Sequence, residues 1–234
     1  AGLSVGVMAC IIIMLYVKAE ASYERFYPES EKIYRLSSVF TTNGNREDLA
    51  VTPARITAIS DQNFPEIEEI TFVYDWSIGR ELLVEHGENR FIESEVYFAD
   101  TSYFKVFQHK FLEGHAATAL DDPNALVMTE STALKYFGRT TDVVGTTLKI
   151  NNQDAMITGV IQDFQGNTSL HFDLVMSMST VGEPPSNRWF PMNYFTYVKV
   201  ADESAAQAYL NKLNTYIDDE VGESFRAAGI EMAF

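Results

Sequence analysis

The first seventeen residues carry no charge, and their apolar positions fall all around a helix rather than on one stripe. Lys18, Glu20, Glu24 and Arg25 then arrive within eight positions. A helix of that uncharged length would measure about 25 Å, slightly under the hydrocarbon thickness of a bilayer. Tyr16, Ala19, Tyr23 and Phe26 follow at spacings of three, four and three, one helical face that carries aromatics outward from a membrane interface. Pro28 stops it. The pattern predicts a membrane-crossing helix and its extension over residues 1–27, with Leu15 to Phe26 a stiff rod leading out of the lipid. Gly2 and Gly6 form a G-x-x-x-G, a spacing at which two membrane helices approach closely.

Two other readings of this stretch exist. Ala19-Glu20-Ala21 resembles an A-x-A signal-peptide cleavage site, but the helical pattern runs on past Ala21, whereas cleavage sites sit in extended chain. A buried helix of a soluble domain would need a single apolar stripe. The chain begins with Ala1 rather than Met, which reads as a fragment whose upstream residues are missing.

Beyond Pro28 the period changes. Residues 31–40 read as a strand. Thr52 reads as a helix cap with Pro53 at the first helical position and Pro65 past the end, and residues 70–76 read as a second strand. The middle is rich in short strands: a hairpin turning at His86 to Asn89, a short helix after Asp100, a strand over 124–129 and a second hairpin turning at Asn151 to Asp154. Thr129 caps the helix that follows the 124–129 strand, and Gly138 closes it. Residues 171–178 read as one more strand. Near the end, 193–200 alternates in strand fashion. Residues 202–222 place Ala206, Tyr209, Leu210, Leu213 and Ile217 on one helical face, and 229–234 starts a final strand. A β-α-β unit at each end thus brackets a β-rich insertion, and two such units can pair as a split sheet with both helices on one face. The expected fold is α+β: the N-terminal span, an α+β lobe from 28–80 and 190–234, and a β-rich lobe from 81–189.

Composition narrows the function. Seventeen basic against 33 acidic residues leave a formal net charge of -16, which repels phosphate backbones and excludes nucleic-acid binding. Cys10 is the single cysteine, so no disulfide forms within the chain and no zinc-ligand spacing exists. Gly138 and Gly145 flank a loop followed by no lysine, which excludes a phosphate loop. Ser131 and Lys135 stand at S-x-x-x-K, one residue too far apart for the serine-hydrolase pair. His86, His109, His115 and His171 are scattered, and the acidic runs are those of a solvated surface. Asn167-Thr168-Ser169 fits a glycosylation sequon, a pattern frequent by chance. No catalytic, cofactor or metal residues emerge, and the chain reads as a non-enzyme.

Several segments resemble one family, the periplasmic core domain of MacB-type ABC transporter permeases with FtsX-like membrane units. Residues 2–36 are similar to the end of its first membrane helix, its E-x-x-Y-[DE]-x-F exit and its I-Y-R strand. Residues 64–71 resemble its F-P-E-V-E segment, 97–114 its aromatic block ending F-L-x-G, and 119–138 its V-[LM]-T-E-S-x-A-x-K-Y-F-G block. "VVGTTLKI" is similar to its I-G-x-x-[LI] strand, and 158–177 to T-G-V-x-x-D-x-P-x-N-[ST]-x-[LF]-x-F-D, with Gln165 where proline is usual and Thr146-Thr147 replacing a more polar pair. The resemblance implies a bilobed periplasmic domain between the first two membrane helices of an inner-membrane permease, with residues after about 20 in the periplasm. Its partners would be a cytoplasmic ABC ATPase and a second permease half or a second copy, with a further periplasmic or outer-membrane partner possible. ATP hydrolysis would lie in the ATPase, and the permease would convey its motion across the membrane to export a cargo or to do mechanical work. Tyr16, Tyr23 and Phe26 are the expected contacts of the rod that carries this motion, and Gly2 and Gly6 its packing residues in the membrane.

Two rivals come from other classes. An extracytoplasmic ligand-sensing domain of a membrane receptor also places an α+β domain after one span; the segment following Phe234 would discriminate, since a permease continues into several further spans. A secreted hydrolase freed after Ala21 would begin at Ser22.

Overall fold

The structure, a computed structural model, describes residues 2–20, 22–182 and 188–234. Ala1 and Ala21, the last residue of the A-x-A triplet, lie outside the described residues.

Helix α1 (Gly2–Glu20) opens the described chain. Over Leu3–Glu20 its mean hydropathy is 1.9 and none of it is buried; among the described residues it is the one helix long and apolar enough to cross a membrane. The rod expected to continue to Phe26 stops at Glu20. Residues 22–27 instead form successive tight turns, Ser22 N–H donating to the Ala19 carbonyl at 3.1 Å and Tyr27 N–H to that of Glu24 at 3.2 Å. Glu24 has φ 59°, which no right-handed helix contains. Its N–H donates to the Asn167 carbonyl at 2.9 Å, so a tertiary bond replaces the helical one.

Four strands, β1 (Ile33–Arg35), β2 (Ser38–Thr42), β3 (Asn45–Leu49) and β4 (Thr52–Pro53), precede helix α2 (Arg55–Asn63). Then come β5 (Ile67–Asp75), β6 (Leu82–His86), β7 (Asn89–Glu93), β8 (Val96–Ala99), the short α3 (Tyr103–Val106) and β9 (Phe111–Gly114). Strand β10 (Ala125–Thr129) leads into α4 (Glu130–Phe137), and β11 (Thr147–Ile150) pairs with β12 (Gln153–Ile161). After β13 (Leu174–Ser177) and β14 (Met192–Val200) come α5 (Glu203–Ile217), α6 (Glu223–Ala227) and β15 (Ile230–Ala233). The fold is mixed α+β, an apolar N-terminal helix followed by a β-rich domain.

One twelve-stranded sheet runs in the order β1-β14-β5-β8-β13-β10-β12-β11-β6-β7, with β4 added to β14 and β9 to β12. Strand β14 lies between β1 and β5, antiparallel to both. Helices α2 and α5 cover this region through one core of Ile56, Ile59, Ile70, Val198, Tyr209 and Leu213, built from both ends of the chain. The sheet is continuous past residue 80: β5 pairs with β8, Val73 opposite Ala99.

Three local expectations are corrected. Residues 31–40 break into two strands because they serve two sheets: Leu36 N–H still meets the Thr196 carbonyl of β14 at 2.9 Å, whereas from Ser38 the chain pairs with β3 and β15. Thr52 and Pro53 belong to a strand, not to a helix start; the Thr52 hydroxyl is buried against that of Thr196 at 2.7 Å, and Ala54 stands at the head of α2. The final strand does not join the large sheet: β15 pairs with β2 in a separate sheet of order β15-β2-β3. Elsewhere local chemistry acts as the sequence predicts. Thr129 accepts from Thr132 N–H at the head of α4, and Gly138 closes that helix at φ 66°.

The S-x-x-x-K pair separates. Ser131 donates through its N–H and hydroxyl to Asp163 at 2.9 and 3.0 Å. Lys135 reaches the carboxylate of Glu93 at 2.7 and 3.0 Å, and the Tyr136 hydroxyl donates to the same carboxylate at 2.5 Å.

Candidate functional site

The place where α1 meets the domain is held by one carboxylate. Glu24 accepts from the Thr168 hydroxyl at 2.8 Å on one oxygen, and from the Ser169 N–H and hydroxyl at 2.6 and 2.7 Å on the other. Asn167 adds a bond from its amide to the Ser22 hydroxyl at 3.2 Å. The left-handed backbone at Glu24 turns its side chain and its N–H together toward this loop, so the chain leaving α1 is tied down over residues 167–169. Charge-assisted bonds of this kind are roughly twice as strong as neutral ones.

Beyond the clamp lies an aromatic floor. Phe26 packs across Gly166, where an added Cβ would lie 3.1 Å from the ring, and meets Phe164 edge-on at 6.2 Å. Tyr27 is buried against Phe107 at 4.9 Å and His109 at 5.1 Å between ring centroids. Glu29, again left-handed at φ 56°, places its carboxylate between Lys199 of β14 and Lys32, 2.6 Å from each. The Lys199 bond, then that of Lys32, holds the Glu29 carboxyl down to about 2. Lys199 is itself buried, so this contact also neutralises an ammonium inside the sheet.

His109 sits under Tyr27 within a cage of Tyr103, Phe104, Phe164 and Phe172, its Nε2 3.2 Å from the Tyr103 hydroxyl. Loss of solvation pushes its pKa down to about 3. An unfolded histidine titrates near 6.5, so the fold binds fewer protons than the unfolded chain between these values. The stability this neutral ring contributes is therefore complete above pH 6.5 and drains away as pH falls. Between pH 8 and pH 5 the loss is about 2 kcal/mol. Urea unfolding in detergent micelles at the two pH values should show it, and His109→Phe should flatten the difference by that amount. An unchanged difference in that variant would remove His109 as the cause.

Of the residues singled out from sequence, Phe26 makes the contacts just described. Tyr16 and Tyr23 are exposed, at 65% and 45%. Gly2 and Gly6 lie one turn apart on α1, and an added Cβ on Gly6 would meet no other part of the chain within 4 Å. The clamp residues Glu24, Thr168 and Ser169 and the Glu29–Lys199 pair were missed. A signal for the clamp was present: Glu24 is the acidic position of the exit pattern, and Asn167-Thr168 is the N-[ST] of the last resembling segment. The two patterns meet in space. Among the described residues no three His, Cys, Asp or Glu side chains group as metal ligands.

The family model of the MacB-like periplasmic core domain matches residues 1–216. No curated protein matches the chain. Among solved structures, a domain assigned to a permease protein from Porphyromonas gingivalis superposes with a TM-score of 0.72 at 20% identity, over 90% of each chain. The periplasmic region of MacB from Actinobacillus actinomycetemcomitans gives 0.52 at 17% identity, over 84% of this chain and 87% of that one. The extracellular domain of the ABC-type transporter YknZ from Gram-positive bacteria gives 0.54 at 12% identity, over 81% and 95%. At these identities the likeness is one of fold.

Proposed function

Because the chain belongs to the MacB-like periplasmic core domain family, we propose that it is the first membrane helix and periplasmic domain of an ABC transporter permease, and that it performs no catalysis itself. In this reading α1 crosses the bacterial inner membrane and the residues after about 20 lie in the periplasm. A cytoplasmic ABC ATPase hydrolyses ATP, and the permease, paired with a second half or a second copy, carries the motion outward for export or mechanical work, with a periplasmic or outer-membrane protein as a further possible partner. In this reading the helix face of Gly2 and Gly6 packs against another membrane helix.

The observation that carries this reading is the Glu24 clamp. An apolar helix, exposed over Leu3–Glu20, runs into a turn fixed by four bonds from residues 167–169 to Ser22 and Glu24. Displacement of the helix end is then delivered to the loop before β13, at the centre of the large sheet, rather than lost in a slack linker. The rigid element is a helix plus a locked turn instead of one continuous rod, and Tyr27 with Glu29 extends the lock to the aromatic floor and to β14. The 28–80 with 190–234 and 81–189 segments are the two lobes of this reading, and the β5–β8 pairing would carry the motion from one to the other.

Full-length protein solubilised from membranes should co-purify a cytoplasmic ABC ATPase; its consistent absence would contradict the reading. Glu24→Ala should keep that ATPase and cost about 1–2 kcal/mol of stability. Its coupled activity should fall about fivefold, the equivalent of roughly 1 kcal/mol of lost coupling. Wild-type coupled activity in this variant would exclude the clamp as the transmitting contact.

A further inference from the structure

The geometry points to a small-molecule binding site beneath the clamp, one that takes an uncharged carbonyl compound with a compact apolar body. A cavity of about 300 Å³ opens between the turn after α1, β1, α3 and β14, within the lower range of ligand pockets. Its walls are mainly apolar, with Ile33 and Phe107 among them, and Arg35 and Ser169 also line it. Phe107 lies between two tyrosine rings, 4.9 Å from Tyr27 and 5.0 Å from Tyr197. Both tyrosines line the cavity and both are 4% exposed; neither buried hydroxyl makes a hydrogen bond of good geometry, although Thr168 and Tyr103 stand beside that of Tyr27 and Ser169 and Arg35 beside that of Tyr197.

A buried hydroxyl without a partner costs about 1–3 kcal/mol, and two of them in one apolar chamber are a doubled cost that ordinary packing removes. Burial keeps both phenols protonated, so each has a proton to offer a well-placed acceptor in the cavity. Glu24 and Arg35 both line the cavity, so their opposite charges offset one another and favour neither an anionic nor a cationic guest. A neutral ester, amide or ketone oxygen satisfies the two donors without upsetting that balance, and its hydrocarbon portion fills the space along Ile33 and Phe107. Two sources supply this chemistry, a free small molecule and the ester region of a membrane lipid beside the end of α1.

The test uses the full-length protein in nanodiscs, labelled with 3-fluorotyrosine, and 4-phenylbutan-2-one as the probe. In discs of diether phosphatidylcholine, which has no ester carbonyl, the probe should shift the Tyr27 and Tyr197 fluorine signals saturably. The Tyr27→Phe/Tyr197→Phe chain, read by the probe's own saturation-transfer signal, should bind about tenfold more weakly. Ile33→Trp, which fills the chamber and keeps both hydroxyls, should abolish saturation. In diester discs, weaker probe affinity would assign the site to lipid, and unchanged affinity to a free molecule. Absence of saturable shifts in diether discs, or equal affinity in the double phenylalanine chain, overturns the inference. Neither result bears on whether an ATPase co-purifies, so the site and the transporter reading fail separately.

Discussion

Gly114→Ala should destabilise the domain by about 4 kcal/mol, the high end of single-substitution effects. Gly114 closes β9 at φ 85°, where any side chain is strained. Strain alone accounts for 1–3 kcal/mol. The remainder is steric. An added Cβ would fall within the radius of the Thr158 carbonyl oxygen and 2.8 Å from Gly159 Cα, both backbone atoms of β12 that cannot swing away. The partner glycine is equally confined: Gly159 pairs with Gly114 in the ladder, and a Cβ there would lie 2.6 Å from the Phe111 ring. Gly138 separates the two contributions. It has φ 66° but nothing within 4 Å of an added Cβ, so Gly138→Ala should cost only about 1 kcal/mol. Urea unfolding in detergent micelles measures both, and equal losses would refute the steric account.

Lys135→Met should cost about 3 kcal/mol, through the carboxylate it abandons. Glu93 is 3% exposed and receives three bonds, two from Lys135 and one from the Tyr136 hydroxyl. Removing the lysine leaves a buried charge with one donor. Lys135 also lies 4.7 Å over the Phe91 ring, a contact that methionine keeps only as packing. Removing the whole polar group should be far milder. Glu93→Leu/Lys135→Met/Tyr136→Phe leaves no unpaired buried atom and should lie within about 1.5 kcal/mol of the parent. If the triple variant is less stable than Lys135→Met alone, the pair itself, rather than the stranded charge, supplies the energy.

Most of the β-rich middle was legible because its signals are local. Thr129 and Gly138 fix the two ends of α4, and Asn151 and Asn152 take left-handed backbone at the β11–β12 turn, all within a few residues of the elements they define. Asn43 and Gly44, both at positive φ, turn β2 into β3 and are equally readable as a turn, but neither flanking strand alternates: Val39 and Phe40 are adjacent in β2, and Leu49 is the one apolar residue of β3. What escaped depends on distant partners. Thr52 looks like a cap until Thr196 comes beside it, 144 residues away. The helical face of Tyr23 and Phe26 is genuine in the sequence, but Glu24 is drawn out of the helix by residues 167–169. Phe26 finds a partner and Tyr23 does not, because the turn after Glu20 redirects them. The exit pattern and the N-[ST] pattern were each visible; that one clasps the other is tertiary information.

The position of β14 between β1 and β5 has a consequence for synthesis. The middle plank of this part of the sheet leaves the ribosome more than a hundred residues after the two it must hold together. At 5–20 residues per second, β5 waits roughly 6–25 s and β1 roughly 8–33 s with their inner edges unpaired. Such edges are templates for wrong partners until they are covered. A nascent chain of this kind gains from a chaperone that shields residues 33–75 until residue 200 has emerged.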